Sequence, residues 1–595
     1  MSLHNTSNIN EKSSFSDAVI NSLPSLNGLW FLKNINKLDK KFIENIDMYS
    51  YHEIIFIVIK TLNIINLNDN DLKKIIKKAF NFPINIKKFN NICFLETFYG
   101  PTLTFKDFGA RFLAEYVKLI SLHKKYNVLV STSGDTGSAI ASAFYKAKNI
   151  NVTILYPYKR VSDMQEKQIT TYSDNVMAYA FNGNFDDCQK FVKKAFVDKD
   201  IKYLNLISAN SINIARLIPQ TIYYFYAYSI LKKHNKDIVF SVPCGNCGNL
   251  TGGLIAKRMG LPISFIASQN DNNVFIKYLK TGKLEPIKSN MTISNAMDVG
   301  NPSNVIRIRH MYNNDINMMR KDIMISHSTE KRTIDGIKDV YKKYKYIIDP
   351  HTAVGYNGVL DNMDDNKLYV IVSTAHPSKF NNIIFKALKI KAYIPPRLSK
   401  LDNIIKEYFI IRNDYNIFKK NIKLLNKPGV NITLIGMPGA GKSTLAKYIQ
   451  NNYNYNLIEL DNYIEKKNNA TLFELIKKYG DEGFKIIEET ACLSIPYNKN
   501  NIVVSTGGSI IYSAKSMKHM SNNNNIIIYL KTNFNTIKKR TDNFTNRGIV
   551  FNNMTPKELY DSRDKLYTKY SNLIIDTTNK DISFLANMFR YIMSK

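Results

Sequence analysis

The sequence predicts an α/β protein in which two domains with parallel sheets follow one another along the chain. Three segments carry the evidence, and they begin at Val128, Ile238 and Asn431. In each, a short apolar strand runs into a turn rich in glycine and small polar residues, and a helix follows. A second strand, residues 152–156, follows the first of these helices, which is typical of a strand–helix–strand unit in a parallel sheet.

The amino-terminal segment, residues 1–90, is predicted to be mainly helical. Residues 14–23 and 71–80 carry apolar side chains at helical spacing, and Asn70-Asp71 is a plausible helix start. The segment contains no pattern that indicates chemistry.

A break in the pattern near residue 426 predicts a domain boundary. Residues 397–426 are expected to form a lysine-rich helix, and the Lys-Pro-Gly sequence after it interrupts regular structure. The chain has 595 residues, of which 44% are hydrophobic, so it is long enough for several globular cores. We therefore predict a first domain over residues 1–425, a linker over 426–430 and a second domain over 431–595.

The net charge of +33 at first favours nucleic acid or an anionic membrane as a partner. Lysine is abundant along the whole chain, however, and no zinc-finger spacing or aromatic single-strand motif accompanies it. We predict neither a nucleic-acid nor a membrane partner, and we keep a basic nucleic-acid-binding protein as a rival hypothesis. The positive charge favours phosphorylated small molecules as substrates.

Five scattered cysteines are too few for a disulfide framework, which indicates a reducing cytoplasm. Cys244 and Cys247 have the spacing of a redox motif. The glycines and asparagines around them favour a phosphate-binding turn instead. No stretch of about 18 apolar residues occurs, so we predict no membrane span and a cytoplasmic location.

Lys106 is the leading candidate for a catalytic residue of the first domain. It lies in the sequence GPTLTFKDFG, between aromatic residues and just after a Gly-Pro turn. Desolvation in such a place favours the neutral amine, which can form a Schiff base with an aldehyde cofactor such as pyridoxal phosphate. The alternative to a catalytic role is a structural one, in which the aliphatic part of the lysine is buried and its charge stays in solvent.

The turn after the strand at 238–242 is a candidate phosphate site. Its glycines let the backbone curl around a phosphate, and the amino end of the following helix favours negative charge. With two cysteines and no nearby histidine, a metal site is disfavoured. The candidate cofactor-binding residues of this turn are Gly245, Asn246, Cys247, Gly248 and Asn249.

Further motifs follow in order, and each alone would be explained by a turn or a satisfied polar group. They are STSGDTGSA from Ser131, Asn210-Ser211-Ile212-Asn213 with Arg216, Asn295-Ala296-Met297-Asp298, DPHTAVGY from Asp349 and STAHPSKF from Ser373. Together with GPTLTFKDFG and PCGNCGNLTGG, they make residues 1–425 resemble threonine synthase. That family has the fold of pyridoxal-phosphate enzymes of type II, like tryptophan synthase β, and the resemblance is to the bacterial type without an S-adenosylmethionine activator.

The resemblance implies conversion of O-phospho-L-homoserine and water to L-threonine and phosphate. Lys106 would form the Schiff base and carry protons, the turn from Gly245 would hold the cofactor phosphate, and Thr374 would bond the pyridine nitrogen. Cys247 stands where the family usually has phenylalanine. The residues implied in substrate binding are Ser133, Asp135, Thr136, Asn213 and Arg216.

The turn after the strand at 431–435 carries the sequence G-x-x-x-x-G-K-S in its strand–loop–helix setting. Backbone N–H groups of such a loop surround nucleotide phosphates, the lysine contacts the terminal phosphates, and the serine binds magnesium. The pattern therefore predicts a nucleoside triphosphate with Mg²⁺. The candidate residues are Gly436, Gly439, Ala440, Gly441, Lys442, Ser443 and Thr444.

The motifs after this loop resemble shikimate kinase across residues 430–595, and the resemblance implies a P-loop kinase domain with three layers, α/β/α. The motifs are Glu459-Leu460-Asp461, GDEGFK from Gly480 with Glu488, STGGS from Ser505, Arg547, and Arg563 with Tyr567. The resemblance implies ATP and shikimate as substrates and Asp461 as the group that activates the shikimate hydroxyl. It also implies Glu459 near magnesium, Arg547 on the transferring phosphoryl group, and Lys485, Gly507, Gly508 and Arg563 at the shikimate.

Three departures from the kinase pattern leave alternatives open. Lys485 stands in place of the usual arginine and loses its two-pronged grip on a carboxylate, Ser509 replaces a glycine, and Glu459 replaces the commoner aspartate. We predict a bifunctional enzyme with an active kinase. The alternatives are a weakened or regulatory nucleotide-binding domain, and a kinase for another small polyol acid. The oligomeric state is left open.

Overall fold

The computed structural model describes residues 2–25, 27–121, 124–172, 174–521, 524–540, 549–551 and 554–593. The chain divides into two compact units, Met1–Met177 with Gly183–Lys406, and Ala178–Asn182 with Glu407–Lys595. Residues 407–425, assigned to the first domain by the sequence analysis, belong to the second unit. Among the described residues, no helix is long and apolar enough to cross a membrane.

The amino-terminal segment combines helices with a small antiparallel sheet of order β2-β1-β3, which the sequence analysis did not predict. The predicted helix at 71–80 begins earlier, because the Asn68 side chain accepts a hydrogen bond from the backbone of Asp71 and caps the helix. The elements are β1 (Leu3–Asn5), β2 (Asn8–Ser13), α1 (Phe15–Asn21), β3 (Trp30–Leu32), α2 (Lys40–Glu44), α3 (Tyr51–Leu62), α4 (Asp69–Ala79) and β4 (Asn85–Phe89).

The rest of the first unit alternates strands and helices, as predicted. Its elements up to residue 231 are β5 (Ile92–Glu96), α5 (Lys106–Ile120), β6 (Tyr126–Ser131), α6 (Asp135–Phe144), β7 (Ile150–Pro157), α7 (Asp163–Thr170), β8 (Val176–Phe181), α8 (Phe185–Val197), β9 (Leu206–Ser208), α9 (Ile214–Leu217) and α10 (Ile222–Leu231). They continue with β10 (Asp237–Pro243), α11 (Gly248–Arg258), β11 (Ile263–Gln269), α12 (Val274–Thr281), α13 (Val305–Met311), α14 (Ile316–Asp322), β12 (Ile323–His327), α15 (Glu330–Tyr344), α16 (Pro350–Asp361), β13 (Lys367–Ser373), α17 (Asn381–Leu388) and α18 (Pro396–Ser399).

Two groups of parallel strands organise the first unit. One is a six-stranded sheet of order β12-β11-β10-β13-β5-β4, in which β4 alone is antiparallel to its neighbour. Buried side chains of β5, β10, β11 and β13 pack with α15, α16 and α17 in its core. In the other group, β6 pairs in parallel with both β7 and β9. The carboxyl ends of β6 and β10 lead into the two predicted anion-binding turns.

The second unit is built on strands in the order β16-β17-β15-β18-β19-β14. Its pairs are parallel except that of β14 with β19, and β14 also pairs in parallel with Tyr179 to Phe181 of β8. The elements are β14 (Phe409–Ile411), α19 (Tyr415–Leu424), β15 (Asn431–Ile435), α20 (Lys442–Tyr453), β16 (Asn456–Glu459), α21 (Leu460–Asn468), α22 (Leu472–Leu493), β17 (Ile502–Ser505), α23 (Ala514–Met520), β18 (Asn525–Lys531), α24 (Phe534–Arg540), α25 (Pro556–Tyr570), β19 (Leu573–Asp576) and α26 (Ile582–Met593).

Two expectations about local structure were wrong. The lysine-rich segment 397–426 is not one helix, because its apolar residues 409–411 pair with strands on both sides as β14. The residue types after the three turns predict helices that begin at Ser138, Thr251 and Leu445, but α6, α11 and α20 each begin three residues earlier. Their caps are Gly134, Cys247 and Gly441, all with positive φ, so the turn closes early and its last residues already form the first helical turn.

Two candidate active sites

Lys106 lies at the start of α5, at the wall of a cavity in the first unit. The turns after β6 and β10 form much of its lining. The predicted residues that line it are Lys106, Ser133, Asp135, Thr136, Arg216, Gly245, Asn246, Cys247, Gly248, Asn249 and Thr374.

The Lys106 amine lies in an environment that favours its neutral form. Its pKa is lowered to about 8, chiefly by burial; the charge of Asp135 opposes the shift, and the charges of Arg216 and Lys379 add to it. The amine also lies 5.7 Å from the centre of the Phe105 ring. About one-tenth of this amine is therefore neutral at pH 7, far more than of an ordinary lysine with a pKa of about 10.4.

Asp135 and Lys379 form a buried ion pair beside Lys106. The Lys379 Nζ to Asp135 Oδ1 distance is 2.6 Å, and the Gln165 amide donates a second hydrogen bond of 3.0 Å to the same carboxylate. Burial alone would raise the pKa of Asp135, but the charges of Lys379 and Lys106 hold it well below its usual range. The sequence analysis quoted Lys379 within STAHPSKF without giving it a role. Its partner is 244 residues away, and no local pattern reveals such a pairing.

We expect Lys379→Met to destabilise the first unit by about 3 kcal/mol, because it leaves the Asp135 carboxylate buried without its closest cation. Urea unfolding of the full chain measures the change. Lys386→Met, at an exposed position of α17, is the matched control and should leave the unfolding midpoint unchanged. Adding Asp135→Asn should recover much of the loss, since no unpaired charge then remains. An unchanged unfolding midpoint in Lys379→Met would contradict the expectation.

The turn after β10 is shaped as a cradle. A Cβ atom added to Gly245 would lie 2.8 Å from the Met297 Cα, so a side chain there would collide with backbone. The Asn246 amide donates to the Ser211 hydroxyl at 2.6 Å, and its carbonyl oxygen accepts from the Ser303 N–H at 2.5 Å. These contacts fix the turn from two sides and leave its inner face to the cavity.

Two residues that line the cavity each carry a buried donor without a partner within the described part of the chain. The donors are Nδ2 of Asn249 and Nε of Arg216. Asn249 Oδ1 is held by the hydroxyls of Tyr223 and Tyr224, at 2.5 and 2.7 Å, so its amide orientation is fixed. Unsatisfied buried donors are costly unless a ligand binds them. The cavity therefore fits a phosphorylated cofactor and an anionic substrate.

Asn213 is the one predicted residue of the first site that does not line the cavity. Its amide nitrogen donates to the backbone oxygens of Val19 and Ser208, both at 2.9 Å, and its side-chain oxygen caps α9. All its polar atoms therefore serve the fold. Sequence reasoning missed Asn210, Ser211 and His351, which do line the cavity, although each lies in a motif that it quoted.

The second unit holds a cavity at the amino end of α20. Lys442 points into it, and its ammonium donates to the backbone oxygens of Gly436 and Met437 at 2.9 and 3.1 Å. Burial lowers the pKa of Lys442 to about 8, while Asp461 and Glu488 oppose the shift. Gly436, Gly439 and Gly441 have positive φ, as a loop that curls around phosphates requires.

Two carboxylates meet opposite Lys442, beside Gly507. Burial raises the pKa of Asp461, and it raises that of Glu488 to about 7. The Ser509 hydroxyl donates to Glu488 Oε2 at 2.7 Å, whereas Oε1 has no partner among the described residues. A Cβ atom at Gly507 would lie 2.2 Å from Glu488 Oε1 and 2.9 Å from Asp461 Oδ1, so only glycine leaves room for both.

Arg563 closes the cavity from α25. Its Nη2 donates to the Val550 carbonyl oxygen at 2.6 Å, and a Cβ atom at Gly508 would lie 2.7 Å from its Nη1. Lys485 lies outside the lining: its ammonium pairs with Glu482 at 2.6 Å and lies 5.2 Å from the centre of the Tyr512 ring. Arg563 lies 5.5 Å from the centre of that same ring. Lys485 is thus a neighbour of the site and not part of its wall.

The remaining predicted residues of the kinase site have different outcomes. Ser443 lines the cavity, and its hydroxyl lies 3.2 Å from that of Ser505. Glu459 does not line it, because its carboxylate accepts from the Asn462 amide at 3.0 Å and lies 3.6 Å from Lys447. Ala440 is buried and Thr444 is exposed, both outside the lining. Arg547 lies outside the described residues.

The fold and the two sites define a pyridoxal-phosphate-dependent enzyme of fold type II joined to a P-loop kinase domain. The family models that match are threonine synthase N terminus over residues 3–80, pyridoxal-phosphate dependent enzyme over 85–374, threonine synthase C-terminal over 352–422 and shikimate kinase over 438–594. The chain belongs to the threonine synthase family, and it carries a shikimate kinase family domain after it. This confirms the predicted fold class, enzyme classes and cofactors.

Individual relatives agree with this assignment. The chain is 40% identical over 442 residues to threonine synthase of Buchnera aphidicola subsp. Acyrthosiphon pisum, covering 71% of this chain and 98% of that protein. It is similar to the crystal structure of threonine synthase from Escherichia coli, with a TM-score of 0.67, 33% identity and coverage of 71% and 99%. It is also similar to PLP-bound threonine synthase from Brucella melitensis, with a TM-score of 0.66, 30% identity and the same coverage.

Proposed function

We propose that the chain is a bifunctional enzyme. The first unit converts O-phospho-L-homoserine and water into L-threonine and phosphate, and the second transfers a phosphoryl group from ATP to shikimate. The observation that carries the first activity is the placement of a desolvated lysine, Lys106, in one cavity with the unpartnered donors of Arg216 and Asn249. The meeting of Lys442, Asp461 and Arg563 in one cavity supports the second.

Some residues of the first site bind the cofactor, and others bind the substrate. When bound, pyridoxal phosphate supplies an aldehyde that captures amines and a ring that withdraws electrons from the substrate's α carbon. The turn from Gly245 to Asn249 holds the cofactor phosphate with its backbone N–H groups and the free Asn249 amide. Thr374 would hold the ring of the cofactor through its hydroxyl, and Lys106 would hold the aldehyde.

Lys106 then acts on the substrate as the proton carrier. Its neutral amine would accept the proton of the α carbon and serve the β carbon in turn. Arg216 binds the substrate phosphate or carboxylate, for which its planar guanidinium is suited. The hydroxyls of Ser133 and Thr136 complete the substrate contacts, while the Asp135–Lys379 pair keeps a second positive charge close to Lys106.

The experiment that tests the first activity uses the full chain loaded with pyridoxal phosphate. We expect phosphate release from O-phospho-L-homoserine to match threonine formation one for one. L-Homoserine, which lacks the phosphate, serves as the control and should give no threonine. Phosphate release without threonine would overturn the proposal.

We expect the capture of pyridoxal phosphate by the cofactor-free protein to depend on pH with a midpoint near 8. The neutral amine is the reactive form, and burial lowers the pKa of Lys106 to about 8, so raising the pH through this value raises the reactive fraction. An ordinary lysine with a pKa of about 10.4 would be almost wholly charged there. Stopped-flow absorbance between pH 6 and 10 measures the capture rate, with Lys106→Ala subtracted for surface lysines. A midpoint above about 10 would contradict the role of burial.

In the second site, the loop from Gly436 to Ser443 binds the phosphates of ATP. When ATP binds, the Lys442 ammonium donates to phosphate oxygens in place of the backbone oxygens of Gly436 and Met437. Asp461 accepts the proton of the shikimate hydroxyl. Arg563 binds the shikimate carboxylate, which it reaches past Gly508. Ser443 offers a hydroxyl for magnesium, an ion that would supply positive charge at the phosphates.

Shikimate-dependent ADP formation by the full chain with magnesium-ATP tests the second activity. We expect turnover that requires shikimate and is lost in Lys442→Ala. ATP binding without shikimate-dependent turnover would favour the regulatory nucleotide-binding domain instead. Turnover with quinate but not with shikimate would favour another polyol acid as the acceptor. This alternative stays open because Lys485 pairs with Glu482 and does not line the cavity.

A further inference from the structure

Arg307, on α13, is a fully buried arginine that the proposed function does not use. Its Nε donates to the Trp30 carbonyl oxygen at 3.1 Å, and its Nη2 donates to the carbonyl oxygens of Trp30 and Ile212 at 2.9 and 2.6 Å. Its Nη1 donates to the Ser211 carbonyl oxygen at 2.8 Å and to Asn304 Oδ1 at 2.7 Å. The guanidinium thus joins three segments that are distant in sequence, and it does so through uncharged acceptors.

Asn304 connects this arginine to the turn after β10. While Arg307 holds its Oδ1, its Nδ2 donates to the Asn246 carbonyl oxygen at 3.0 Å and to the Ser211 hydroxyl oxygen at 3.1 Å. A Cβ atom added to Gly248 would lie 3.4 Å from the same Nδ2, so the amide lies directly beside the turn. Neither Asn304 nor Arg307 lines the cavity. They therefore act on the cavity only through the residues that they hold.

The carbonyl oxygen that Asn304 holds belongs to the peptide bond between Asn246 and Cys247. This peptide is trans and planar, so its carbonyl and its N–H point in opposite directions, and the Cys247 N–H points away from Asn304. Cys247 has a φ of 55°, a left-handed conformation that cysteine rarely adopts, so the peptide needs support from its surroundings. Among the described residues, no acceptor takes the backbone N–H of Gly245, Asn246 or Cys247. These three donors are available to a ligand.

The Ser211 hydroxyl is oriented by the same amide. Its oxygen accepts from Asn246 Nδ2 at 2.6 Å as well as from Asn304 Nδ2 at 3.1 Å. A serine oxygen has two acceptor lone pairs and one proton, so both acceptor positions are filled and the proton remains. Ser211 lines the cavity, whereas Asn304 does not. The hydroxyl can therefore donate to an anionic ligand in the cavity.

We propose that Arg307 and Asn304 are positioning residues for the phosphate of the cofactor. Arg307 fixes the Asn304 amide, and Asn304 directs the Cys247 N–H and the Ser211 hydroxyl toward the phosphate, without contact between either positioning residue and the cofactor. This rests on the proposed function of the turn as a phosphate cradle and adds the residues that orient its donors. It also gives the amino-terminal segment a role, because Trp30 of β3 accepts two hydrogen bonds of the guanidinium.

The experiment titrates the cofactor-free full chain with pyridoxal phosphate and with pyridoxal, which has the same aldehyde but no phosphate, and follows binding by absorbance. Arg307→Lys keeps the charge but replaces the forked guanidinium with a single nitrogen. Asn304→Asp keeps an oxygen for Arg307 but loses the amide that donates to Asn246. In each variant we expect the preference for pyridoxal phosphate over pyridoxal to fall by about 10-fold or more, while the affinity for pyridoxal stays the same.

Arg309→Lys is the matched control, because Arg309 lies on the same helix, donates to Asn314 at 3.1 Å and should leave both affinities unchanged. An unchanged preference in Asn304→Asp would overturn the proposal, and this variant decides alone if Arg307→Lys does not fold. An equal loss of affinity for both aldehydes would also overturn it, because that result indicates a purely structural role. Equal affinity of the unaltered chain for both aldehydes would instead overturn the proposed phosphate cradle, on which the proposal rests.

Discussion

We expect Lys106→Ala to lower threonine formation from O-phospho-L-homoserine by at least about 10³-fold, because the variant loses both the cofactor's covalent anchor and the proton carrier. The neighbouring amine of Lys379 cannot take over without rearrangement, because it is paired with Asp135 at 2.6 Å. The loss should be larger in turnover than in substrate affinity. Arg216 and the cradle remain in place, so phosphorylated ligands still find their contacts.

Phosphate release and threonine formation are measured together for this variant and for Lys118→Ala. Lys118 lies on the same helix, α5, in an ion pair with Glu115 near the surface, and its removal should leave the rate unchanged. The kinase activity of the same preparation reports whether the chain is folded. Threonine formation by Lys106→Ala at more than about one-tenth of the original rate would contradict the role given to this residue.

Contiguous motifs explain why much of both sites follows from the sequence. Lys106 and the turn at Gly245 are each fixed by their own local backbone, because a strand, a glycine-containing turn and a helix set the direction of the residues between them. The loop from Gly436 to Ser443 is predictable for the same reason. Even the error in the helix starts is local, since a positive φ at Gly134 or Gly441 closes the turn sooner than residue types alone suggest.

Pairings between distant segments are what the sequence did not reveal. Lys379 and Asp135 are separated by 244 residues, and each resembles an ordinary charged residue until the fold joins them. Asn213 shows the reverse case. Its neighbours in sequence, Asn210 and Ser211, line the cavity, but its own amide turns to the backbone of Val19 and Ser208. A motif thus identifies the segment that reaches a site, and packing decides which of its side chains face the ligand.

The departures from the kinase pattern are connected in the structure. Lys485 lies outside the cavity wall, where it pairs with Glu482 and lies close to the Tyr512 ring. The Ser509 hydroxyl donates a hydrogen bond to Glu488. Ser509, which replaces the usual glycine of its motif, therefore contributes the hydrogen-bond donor that a buried carboxylate requires. Lys442, Asp461 and Arg563 still line the cavity. This is why we favour an active kinase over a regulatory domain.

We expect Asp461→Asn to lower shikimate-dependent ADP formation by about 10²- to 10⁴-fold, because an amide cannot accept the proton of the acceptor hydroxyl. ATP binding should persist, since the loop from Gly436 to Ser443 is unchanged and the substitution also removes a buried negative charge. Threonine formation in the first unit should stay the same. Both rates are measured on the full chain, together with ATP affinity by equilibrium titration.

Asp576→Asn is the matched control, because Asp576 is exposed at the end of β19 and its carboxylate accepts a hydrogen bond from the Thr578 N–H. It should leave both activities unaltered. Retained kinase turnover in Asp461→Asn would mean that another group accepts the proton, and Glu488 would be the first to examine, because burial raises its pKa to about 7 and its Oε1 faces the same glycine. Loss of ATP binding in Asp461→Asn would instead assign this carboxylate to the nucleotide and not to the acceptor.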